Sequence, residues 1–480
     1  MENLKICEMV KAMGGRLLCG DGEAVISGIS TDSRTAGEGD IFFALKGENF
    51  DAHQFLPQVF ANGCNAAVVS RELVEIQEIL AGNDAAAEDE NAAGNSAVSA
   101  SDMEKLSIIQ VADPETALQD LARWYIGLFD AKKIAVTGST GKTTTRDMIY
   151  YICSEKYKTL RNEKNFNNNI GLPLTVMKMT SDIEVAVLEM GMDKMGEIDL
   201  LSGIARPDVA VITNVRTAHV ELLGSRENIF KAKMEIVNHF GPENVLVINE
   251  DGDLLTREAV AGNYKLVTTG CTGKSDYIIS DVEDFGEDGV TFSLEHEGEI
   301  QQFKLNVPGR HNAENAAVAV AAAGQLGITM SEAAAGLEKM ELTEKRLEVK
   351  GKNGIKVIDD TYNATPDSMK AGIDVLMSTK GMRKVAILAD MGQLADETEK
   401  YHRIVGKYAA EAGVELVISI GNNSRFISDE AAKNGTKGMH FEDRESFYAK
   451  MGKLIRPGDV VYVKGSHFTG MAQVVRELLK

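Results

Sequence analysis

Cysteine, tryptophan, positive charge and long apolar runs are all scarce in this sequence. Its 480 residues contain five cysteines and one tryptophan, and the formal net charge is −21. The cysteines show no CxxC or His-flanked spacing, which argues against a zinc site or a disulfide framework. The shortage of Lys and Arg argues against non-specific binding to nucleic acid or to an anionic membrane. We therefore expect no nucleic-acid partner.

Neither the first residues nor the apolar content of the chain predicts a membrane segment. No apolar run reaches the length of a transmembrane helix, so we expect no stable membrane insertion. The first residues, MENLKICEMVKAMGG, lack the basic start and apolar core of a signal peptide and predict an amphipathic helix. Scattered cysteines favour a reducing compartment. We expect a cytoplasmic monomer.

The length suggests roughly three domains, and the hydrophobic pattern predicts an α/β fold. We place a small α/β domain at 1–112, a central domain with a parallel sheet at 113–341, and a Rossmann-like domain at 342–480. Short, nearly continuous apolar runs that alternate with helical patterns are typical of parallel strands buried on both faces. Such runs occur at 185–188, 209–212, 245–248, 356–358, 385–388, 416–420 and 460–463.

One segment of the first domain, 82–104, differs in composition from the rest. It consists almost wholly of Ala, Asn, Ser, Gly, Asp and Glu, with six acids and no base. Such a segment has little to bury, and we predict a solvated surface insertion between strands at 66–69 and 107–111. A functional acidic segment is the alternative.

The sharpest local signal is a glycine-rich turn between a strand and a helix, AVTGSTGKTT at 135–144. The two glycines let backbone N–H groups converge on one anion, and the helix N-terminus adds its own. The turn matches the short GxxGK[ST] form of a P-loop. We predict phosphate binding by Gly138, Ser139, Thr140, Gly141, Lys142, Thr143 and Thr144. An ordinary glycine-rich turn with a surface lysine is the alternative.

Four further polar residues follow the strands of the central domain. Glu189 ends the run 185–188, where a carboxylate would face the ligand crevice of a parallel sheet and could hold Mg²⁺. His219 lies just beyond the next strand end, and Lys231 and Lys233 lie on a following helical pattern. Each has a plain alternative: a solvated strand end, a structural histidine, and a solvated helix face.

Taken together, these motifs resemble the Mur ligase family of ATP-dependent amide ligases. The matching segments are TGSTGKTT at 137–144, Glu189, TNVRTAHVELLGS at 213–225 and the Ala232-Lys233 pair. The resemblance implies that Lys142 binds ATP phosphates and that Thr143 and Glu189 bind one Mg²⁺. It implies that His219 helps to bind a second metal, supported by Lys233 if that lysine is carbamylated.

The resemblance continues through the rest of the chain. PGRHNAENA at 308–316 resembles a family helix start, which implies that His311, Asn312 and Asn315 lie near the nucleotide; an N-cap is the alternative. Arg346 sits where family members have an Arg that can reach a transferring phosphoryl group. Its preceding residue is Lys345 rather than the family's Gly. DDTYNATPDSM at 359–369 resembles a motif that implies ATP contacts by Asp360, Tyr362 and Asn363.

The first domain and two loops narrow the branch of the family. Segments at 30–34, 39–47 and 50–53 resemble a uridine-nucleotide-binding domain, in which Ser33, Arg34 and Lys46 would contact the substrate. NFNNNIGLP at 165–173 and KGS at 464–466 resemble the branch that adds D-alanyl-D-alanine, which implies substrate contacts by Asn167, Asn168, Lys464 and Ser466. His467 and Ala472 depart from the usual family residues.

The resemblance implies an ATP- and Mg²⁺-dependent ligase that joins D-alanyl-D-alanine to UDP-N-acetylmuramoyl-tripeptide through an acyl phosphate. Its catalytic residues would be Lys142, Glu189, His219, Lys233 and Arg346. A tripeptide-forming Mur ligase or a folylpolyglutamate synthase is the alternative within the class. A non-catalytic ATP-binding regulatory module is the alternative outside it.

Overall fold

Three β-sheets, of five, nine and six strands, follow one another along the chain in the computed structural model. The structure describes residues 1–47, 50–81, 106–163, 165–341 and 345–480. The acidic segment 82–104, for which a surface insertion is predicted, lies outside the described residues. The domain boundaries at 112/113 and 341/342 stay predictions.

The first sheet has the strand order β2-β9-β8-β5-β4, with β2 antiparallel and the others parallel. Strands at 66–69 and 107–110 are neighbours in it, as expected. The predicted N-terminal helix is present as α1. The elements are β1 (Leu4–Lys5), α1 (Ile6–Ala12), β2 (Arg16–Cys19), β3 (Val25–Ile26), β4 (Gly28–Ser30), β5 (Asp40–Phe43), β6 (Lys46–Gly47), β7 (Phe50–Asp51), α2 (Leu56–Ala61), β8 (Ala66–Val69), α3 (Leu73–Leu80) and β9 (Ser107–Gln110).

The second sheet has the order β11-β12-β10-β13-β14-β15-β16-β17-β18, parallel as far as β16 and then antiparallel. Its helices pack on both faces. The elements are α4 (Pro114–Ile126), β10 (Lys132–Thr137), α5 (Lys142–Cys153), β11 (Thr159–Arg161), α6 (Gly171–Val176), β12 (Val185–Glu189), α7 (Glu197–Ala205), β13 (Val209–Ile212), α8 (Val220–Leu223), α9 (Arg226–Met234), β14 (Val245–Asn249), β15 (Lys265–Gly270), β16 (Tyr277–Asp284), β17 (Val290–His296), β18 (Glu299–Leu305), α10 (His311–Gly324) and α11 (Met330–Glu338).

The third sheet has the order β19-β20-β24-β21-β22-β23, with only β19 antiparallel. The elements are β19 (Glu348–Lys352), β20 (Ile355–Asp359), α12 (Pro366–Ser378), β21 (Arg383–Ala389), α13 (Thr398–Glu411), β22 (Leu416–Ile420), α14 (Arg425–Lys433), β23 (Lys437–Phe441), α15 (Arg444–Leu454), β24 (Asp459–Lys464) and α16 (Ala472–Leu478).

The predicted α/β class is confirmed, with one addition at the edge of the central sheet. Every residue of β12, β13 and β14 is buried, as their continuous apolar character indicates. The antiparallel strands β17 and β18 are the addition. Within the described residues, every helix is too short or too polar to cross a lipid bilayer.

Candidate active site

A cleft of about 1110 Å³ lies between the second and third sheets and gathers most of the predicted site residues. Its walls come from the C-terminal ends of parallel strands in both domains, where ligands bind in open α/β sheets. The predicted residues that line it are Ser139, Thr140, Gly141, Lys142, Thr143, Thr144, Asn167, Asn168, Glu189, His219, His311, Asn312, Asn315, Arg346, Asp360, Tyr362, Asn363, Lys464 and Ser466.

The predicted phosphate turn joins β10 to α5 in a shape that requires both glycines. Gly141 is the N-cap of α5 with φ +79°, and a Cβ there would lie 2.5 Å from Asn315 Oδ1. Gly138 has φ +152°, and a Cβ there would lie 1.9 Å from Thr213 Oγ1. The N–H groups at the start of α5 therefore face the cleft without side-chain obstruction, which suits an anion.

Thr213 and Asn214, for which no individual role is predicted from the sequence, hold this turn in place. Thr213 Oγ1 donates to the carbonyl of Thr140 over 2.6 Å. Asn214 Oδ1 accepts from both the backbone N–H and the hydroxyl of Thr140, at 3.1 Å each. The signal was present in the TN pair at the end of β13, which lies beside β10 in the sheet. Side chains on the neighbouring strand thus brace the turn.

Two basic side chains belong to this part of the domain, Lys142 on the cleft surface and Lys233 in the interior. Lys142 Nζ donates to the carbonyl of Gly138 over 2.8 Å. Burial lowers the pKa of Lys142, against the opposing effect of Glu189. Lys233 is 1% exposed, and burial together with Lys142 lowers the pKa of its amine well below the usual range. A buried amine whose pKa is lowered by a neighbouring lysine favours a negative charge beside it.

His219 lies beside these lysines at the rim of the cleft. Its Nδ1 is 3.0 Å from Asp193 Oδ1, in an orientation that makes no hydrogen bond. Burial lowers its pKa to about 4, with Lys142 and Lys233 acting in the same direction and Asp193 opposing them. The imidazole is therefore neutral at physiological pH and can offer a lone pair.

Glu189 ends β12 with its carboxylate held on both oxygens. Asn167 Nδ2 donates to Oε1 over 2.8 Å, and Arg146 Nη1 lies 3.3 Å from Oε2. Asn167, predicted as a substrate contact, thus has a partner inside the chain. Asn168 likewise accepts from the N–H of Gly171 over 2.8 Å near the start of α6. A substrate role for these two residues stays a prediction.

Arg346 reaches across from the third domain to the phosphate turn. Its Nη2 donates to Thr143 Oγ1 over 2.9 Å, and its guanidinium lies 4.3 Å from the ring centroid of Tyr362. The preceding Lys345 has φ +62°, a left-handed conformation in which the family's usual Gly costs less. Lys345 therefore adopts the left-handed conformation that the family's Gly would adopt, and its side chain makes that backbone conformation strained.

Asp360 and Lys464 form a buried ion pair on the third-domain wall. Lys464 Nζ lies 2.6 Å from Asp360 Oδ2, which also accepts from the Tyr462 hydroxyl over 3.1 Å. Burial raises the pKa of Asp360, and Lys464 opposes that shift. Nearby, Ser466 Oγ accepts from the N–H of Gly392 over 2.9 Å. Lys464, predicted as a substrate contact, here fixes Asp360, and its substrate role stays a prediction.

Helix α10 presents three polar residues at its N-terminus. Asn312 Nδ2 donates to the carbonyl of Pro308 over 2.7 Å, and Asn315 Nδ2 donates to Asn312 Oδ1 over 3.0 Å. Burial lowers the pKa of His311 to about 4. The N-cap residue of α10 is Arg310, and no side chain accepts a hydrogen bond as its cap, so the N-cap alternative is wrong. All three polar residues line the cleft.

Five predicted residues lie off the cleft surface. Gly138 lies directly behind it, where its carbonyl accepts from Lys142, and Lys233 is buried in the domain interior. Ser33, Arg34 and Lys46 belong to the first domain and do not line the cleft. Arg34 is paired with Asp32 over 2.6 Å, and its side chain is 81% exposed. The structure therefore does not bring the proposed uridine contacts together with the phosphate turn.

The oxygen ligands on the cleft suit Mg²⁺ bound together with a nucleotide. Glu189 and Thr143 supply a carboxylate and a hydroxyl on the same cleft. Within the described residues, no group of three or more His, Cys, Asp or Glu side chains could hold a metal by itself. Mg²⁺ is usually held by one or two carboxylates, with phosphates and water completing its shell. The donor set therefore fits.

Models of three Mur ligase domains match the chain. Residues 136–323 match the Mur ligase middle domain, 345–467 the glutamate ligase domain of Mur ligases, and 25–125 the catalytic domain of the Mur ligase family. The matches cover more than half of the chain.

Curated relatives and solved structures match nearly end to end. The UDP-N-acetylmuramoyl-tripeptide–D-alanyl-D-alanine ligase of Bacillus subtilis is 37% identical over 95% of this chain and 94% of its own. That of Escherichia coli is 32% identical over 100% and 99%. The structure of MurF from Acinetobacter baumannii has a TM-score of 0.87 at 31% identity, over 100% of this chain and 99% of its own. A Mycobacterium tuberculosis folylpolyglutamate synthase, at 16% identity, TM-score 0.61 and coverage of 76% and 94%, shares the fold.

Proposed function

The chain belongs to the Mur ligase family, and from that premise we propose that it joins D-alanyl-D-alanine to UDP-N-acetylmuramoyl-tripeptide at the expense of ATP. The observation that supports this most is the cleft, where the phosphate turn of one domain faces Arg346 and Asp360 of the next. A two-step ligase needs such a place to make and to consume one reactive intermediate. Relatives named for this reaction match the chain from end to end.

The chemistry follows from the poor leaving group of a free carboxylate. The terminal carboxylate oxygen of the tripeptide attacks the γ-phosphorus of ATP, and ADP leaves. The amine of D-alanyl-D-alanine then attacks the carbonyl carbon of the acyl phosphate. Phosphate departs with the electron pair of the C–O bond, and the amine proton is lost to solvent. The cleft walls exclude water that would otherwise hydrolyse the acyl phosphate.

The chain's own residues contribute charge and position. Lys142, at the start of α5, meets the negative charge of the transferring phosphoryl group. Arg346 adds a second positive charge from the third domain. Thr143 and Glu189 would hold Mg²⁺, which when bound neutralises phosphate charge. The proposal also includes nucleotide contacts by residues on two walls of the cleft, namely His311, Asn312 and Asn315 on α10 and Asp360, Tyr362 and Asn363 in the third domain.

Lys233 is proposed to carry a carbamate. A charged amine buried beside Lys142 is unfavourable, whereas the neutral amine can be converted to a carbamate, which carries a negative charge and offers oxygen atoms toward His219. The native intact mass should show one added carboxylate group, absent from Lys233→Met and retained in Lys231→Met, whose side chain is exposed. An active parent protein of unmodified mass would remove the proposal.

The first domain is proposed to bind the uridine nucleotide. Ser33, Arg34 and Lys46 are the residues assigned to it, and they lie away from the cleft that takes ATP. A substrate with a uridine end and a peptide end would bridge these two places. The proposal includes a cytoplasmic monomer that takes no nucleic acid.

One set of assays separates the rivals within the class. Phosphate release is measured with ATP, each UDP-linked muramoyl precursor and each candidate amine, and every component is omitted in turn. We expect release only with the tripeptide precursor and D-alanyl-D-alanine together. Release with a dipeptide precursor and a free amino acid would indicate a tripeptide-forming ligase instead, and release with a folate and glutamate would indicate a folylpolyglutamate synthase.

The same assay separates an enzyme from a regulatory ATP-binding module. Lys142→Ala should abolish phosphate release that depends on both substrates, whereas Lys132→Ala, at an exposed strand start, should not. A module that only senses precursors would bind ATP and release no phosphate in any combination. Near-normal turnover by Lys142→Ala would contradict the assignment of the turn.

A further inference from the structure

A buried group of charged side chains lies directly behind Glu189, on the side away from the cleft. Arg146 Nη1 is 3.3 Å from Glu189 Oε2, and both side chains are 3% exposed. The other oxygen, Oε1, accepts from Asn167. The backbone of Glu189 is also fixed, because its N–H donates to Asn162 Oδ1 over 2.6 Å. The carboxylate thus opens to the cleft in front and is held from behind.

Arg146 also contacts Asp147, a residue that Arg161 contacts as well. Arg146 Nε and Nη2 lie 2.9 and 2.6 Å from Asp147 Oδ1. Arg161 Nη1 donates to the same oxygen over 2.7 Å, and its guanidinium lies 4.2 Å from the ring centroid of Tyr150. Asp147 is 1% exposed. Buried and mutually bonded charges of this kind have little freedom to reorient.

The position of Arg146 on α5 links the two oxygen ligands of the proposed Mg²⁺ site. Thr143 and Arg146 are three residues apart in the first turns of one helix, so they share a face. Thr143 presents its hydroxyl directly, whereas Glu189 comes from β12. The contact between Arg146 and Glu189 therefore connects the carboxylate on β12 to α5, the helix that carries the Thr143 hydroxyl.

We propose that Arg146 is a positioning residue that holds the Glu189 carboxylate, relative to the Thr143 hydroxyl, in the orientation that binds Mg²⁺ with the nucleotide. This inference rests on the proposed function for the roles of Glu189 and Thr143. Charge alone predicts the opposite effect, because a guanidinium beside a metal ligand repels a cation. The sign of the change on removing Arg146 therefore distinguishes positioning from simple electrostatics.

The test measures binding of Mn²⁺, as a probe for Mg²⁺, by electron paramagnetic resonance in the presence of ADP. Arg146→Met should weaken Mn²⁺ binding by about tenfold or more, the usual effect of losing a partner that orients a metal ligand. Arg146→Lys, which keeps the charge, should restore most of the affinity. Arg161→Met is the matched control, because Arg161 contacts Asp147 but not Glu189, and it should stay within about threefold of the parent.

Tighter or unchanged Mn²⁺ binding by a folded Arg146→Met would overturn the proposal, and so would an equal loss in Arg161→Met. If Arg146→Met does not fold, the double variant Arg146→Met with Asp147→Asn removes one charge of each sign, and the same loss is expected. Failure here is distinguishable from failure of the proposed function. The parent's phosphate release with both substrates tests that function whatever Arg146 does.

Discussion

At the scale of single residues, His311 is held as a neutral imidazole at the start of α10. Burial lowers its pKa from 6.5 to about 4, so between these values the unfolded chain binds a proton that the folded chain does not. Folding stability therefore falls as the pH falls through this window, by at most about 1.4 kcal/mol per pH unit from this group.

The first prediction is that His311→Gln flattens the pH dependence of unfolding. The midpoint of urea unfolding should fall less between about pH 7 and about pH 5 in the variant than in the parent. His467→Gln, at an exposed position, is the control and should leave the pH dependence as it is. Equal pH dependence in His311→Gln and the parent would show that the imidazole is not held neutral.

Most residues that line the cleft could be predicted from the sequence, but the hydrogen bonds and ion pairs between them could not. Glu189 could be placed at a strand end because its strand is a continuous apolar run. Its contacts with Asn167 and Arg146 could not be predicted, because each depends on how a loop or a helix packs against that strand. Lys464 and Asp360 are 104 residues apart in sequence. A pairing of that separation is fixed by the order of strands in the third sheet, which local patterns do not show.

At the scale of elements, the phosphate turn combines a left-handed glycine with a close approach of α10. Gly141 and Gly224 have the same φ of +79°, but only Gly141 has a neighbour where a Cβ would lie. Both positions therefore carry strain from a positive φ on substitution, and only Gly141 adds a clash with Asn315.

The second prediction compares Gly141→Ala with Gly224→Ala. Gly141→Ala should weaken ADP binding in calorimetry by about tenfold or more, about 1.4 kcal/mol, because the turn must move to accommodate the methyl group. Gly224→Ala should cost about 1–2 kcal/mol of stability from left-handed strain and leave ADP affinity unchanged. Unchanged ADP affinity in Gly141→Ala would contradict the role of this turn.

Elements with a strong periodic signal were predictable, and the far edge of the central sheet was not. The strands β10, β12, β13 and β14 are short apolar runs, and β10 is followed by a turn of recognisable chemistry. The strands from β15 to β18 mix buried with partly or fully exposed residues and include Thr, Ser and charged side chains. The antiparallel pairing of β16, β17 and β18 depends on hairpins at the sheet edge, which the sequence pattern left undefined.

At the scale of the whole molecule, an acidic chain must bind anionic partners. Its net charge of −21 includes the six acids of segment 82–104. The cleft also has acidic residues in its lining, but Lys142 and Arg346 lie at the phosphate turn itself. Net charge thus describes the outer surface and solubility of the chain, while binding depends on a few local cations.

The second and third domains also meet at a hairpin turn away from the cleft. Gly286, between β16 and β17, has φ +63°, and a Cβ there would lie 2.5 Å from the carbonyl oxygen of Ser378 at the end of α12. Asp288 pairs with Lys380 over 2.7 Å, and Glu287 pairs with Lys356. This contact helps to fix how the third domain faces the phosphate turn.

The third prediction is that Gly286→Val loosens the two domains. Its side chain would push the hairpin from α12, so small-angle scattering should show a larger radius of gyration. The rate of phosphate release should fall by about tenfold or more, because the groups of the third domain are misplaced. Gly298→Val, with φ +83° and no neighbour within 4 Å, is the control. An unchanged rate and radius in Gly286→Val would contradict a role for this contact.

The central claim is that the carboxylate of the tripeptide is activated as an acyl phosphate before the amide forms. The most direct test places a heavy-oxygen label in that carboxylate and follows it by mass spectrometry with ATP and D-alanyl-D-alanine present. The account predicts that the released phosphate carries one labelled oxygen and that the nucleotide product is unlabelled ADP. Label in AMP, or phosphate released without label, would contradict it.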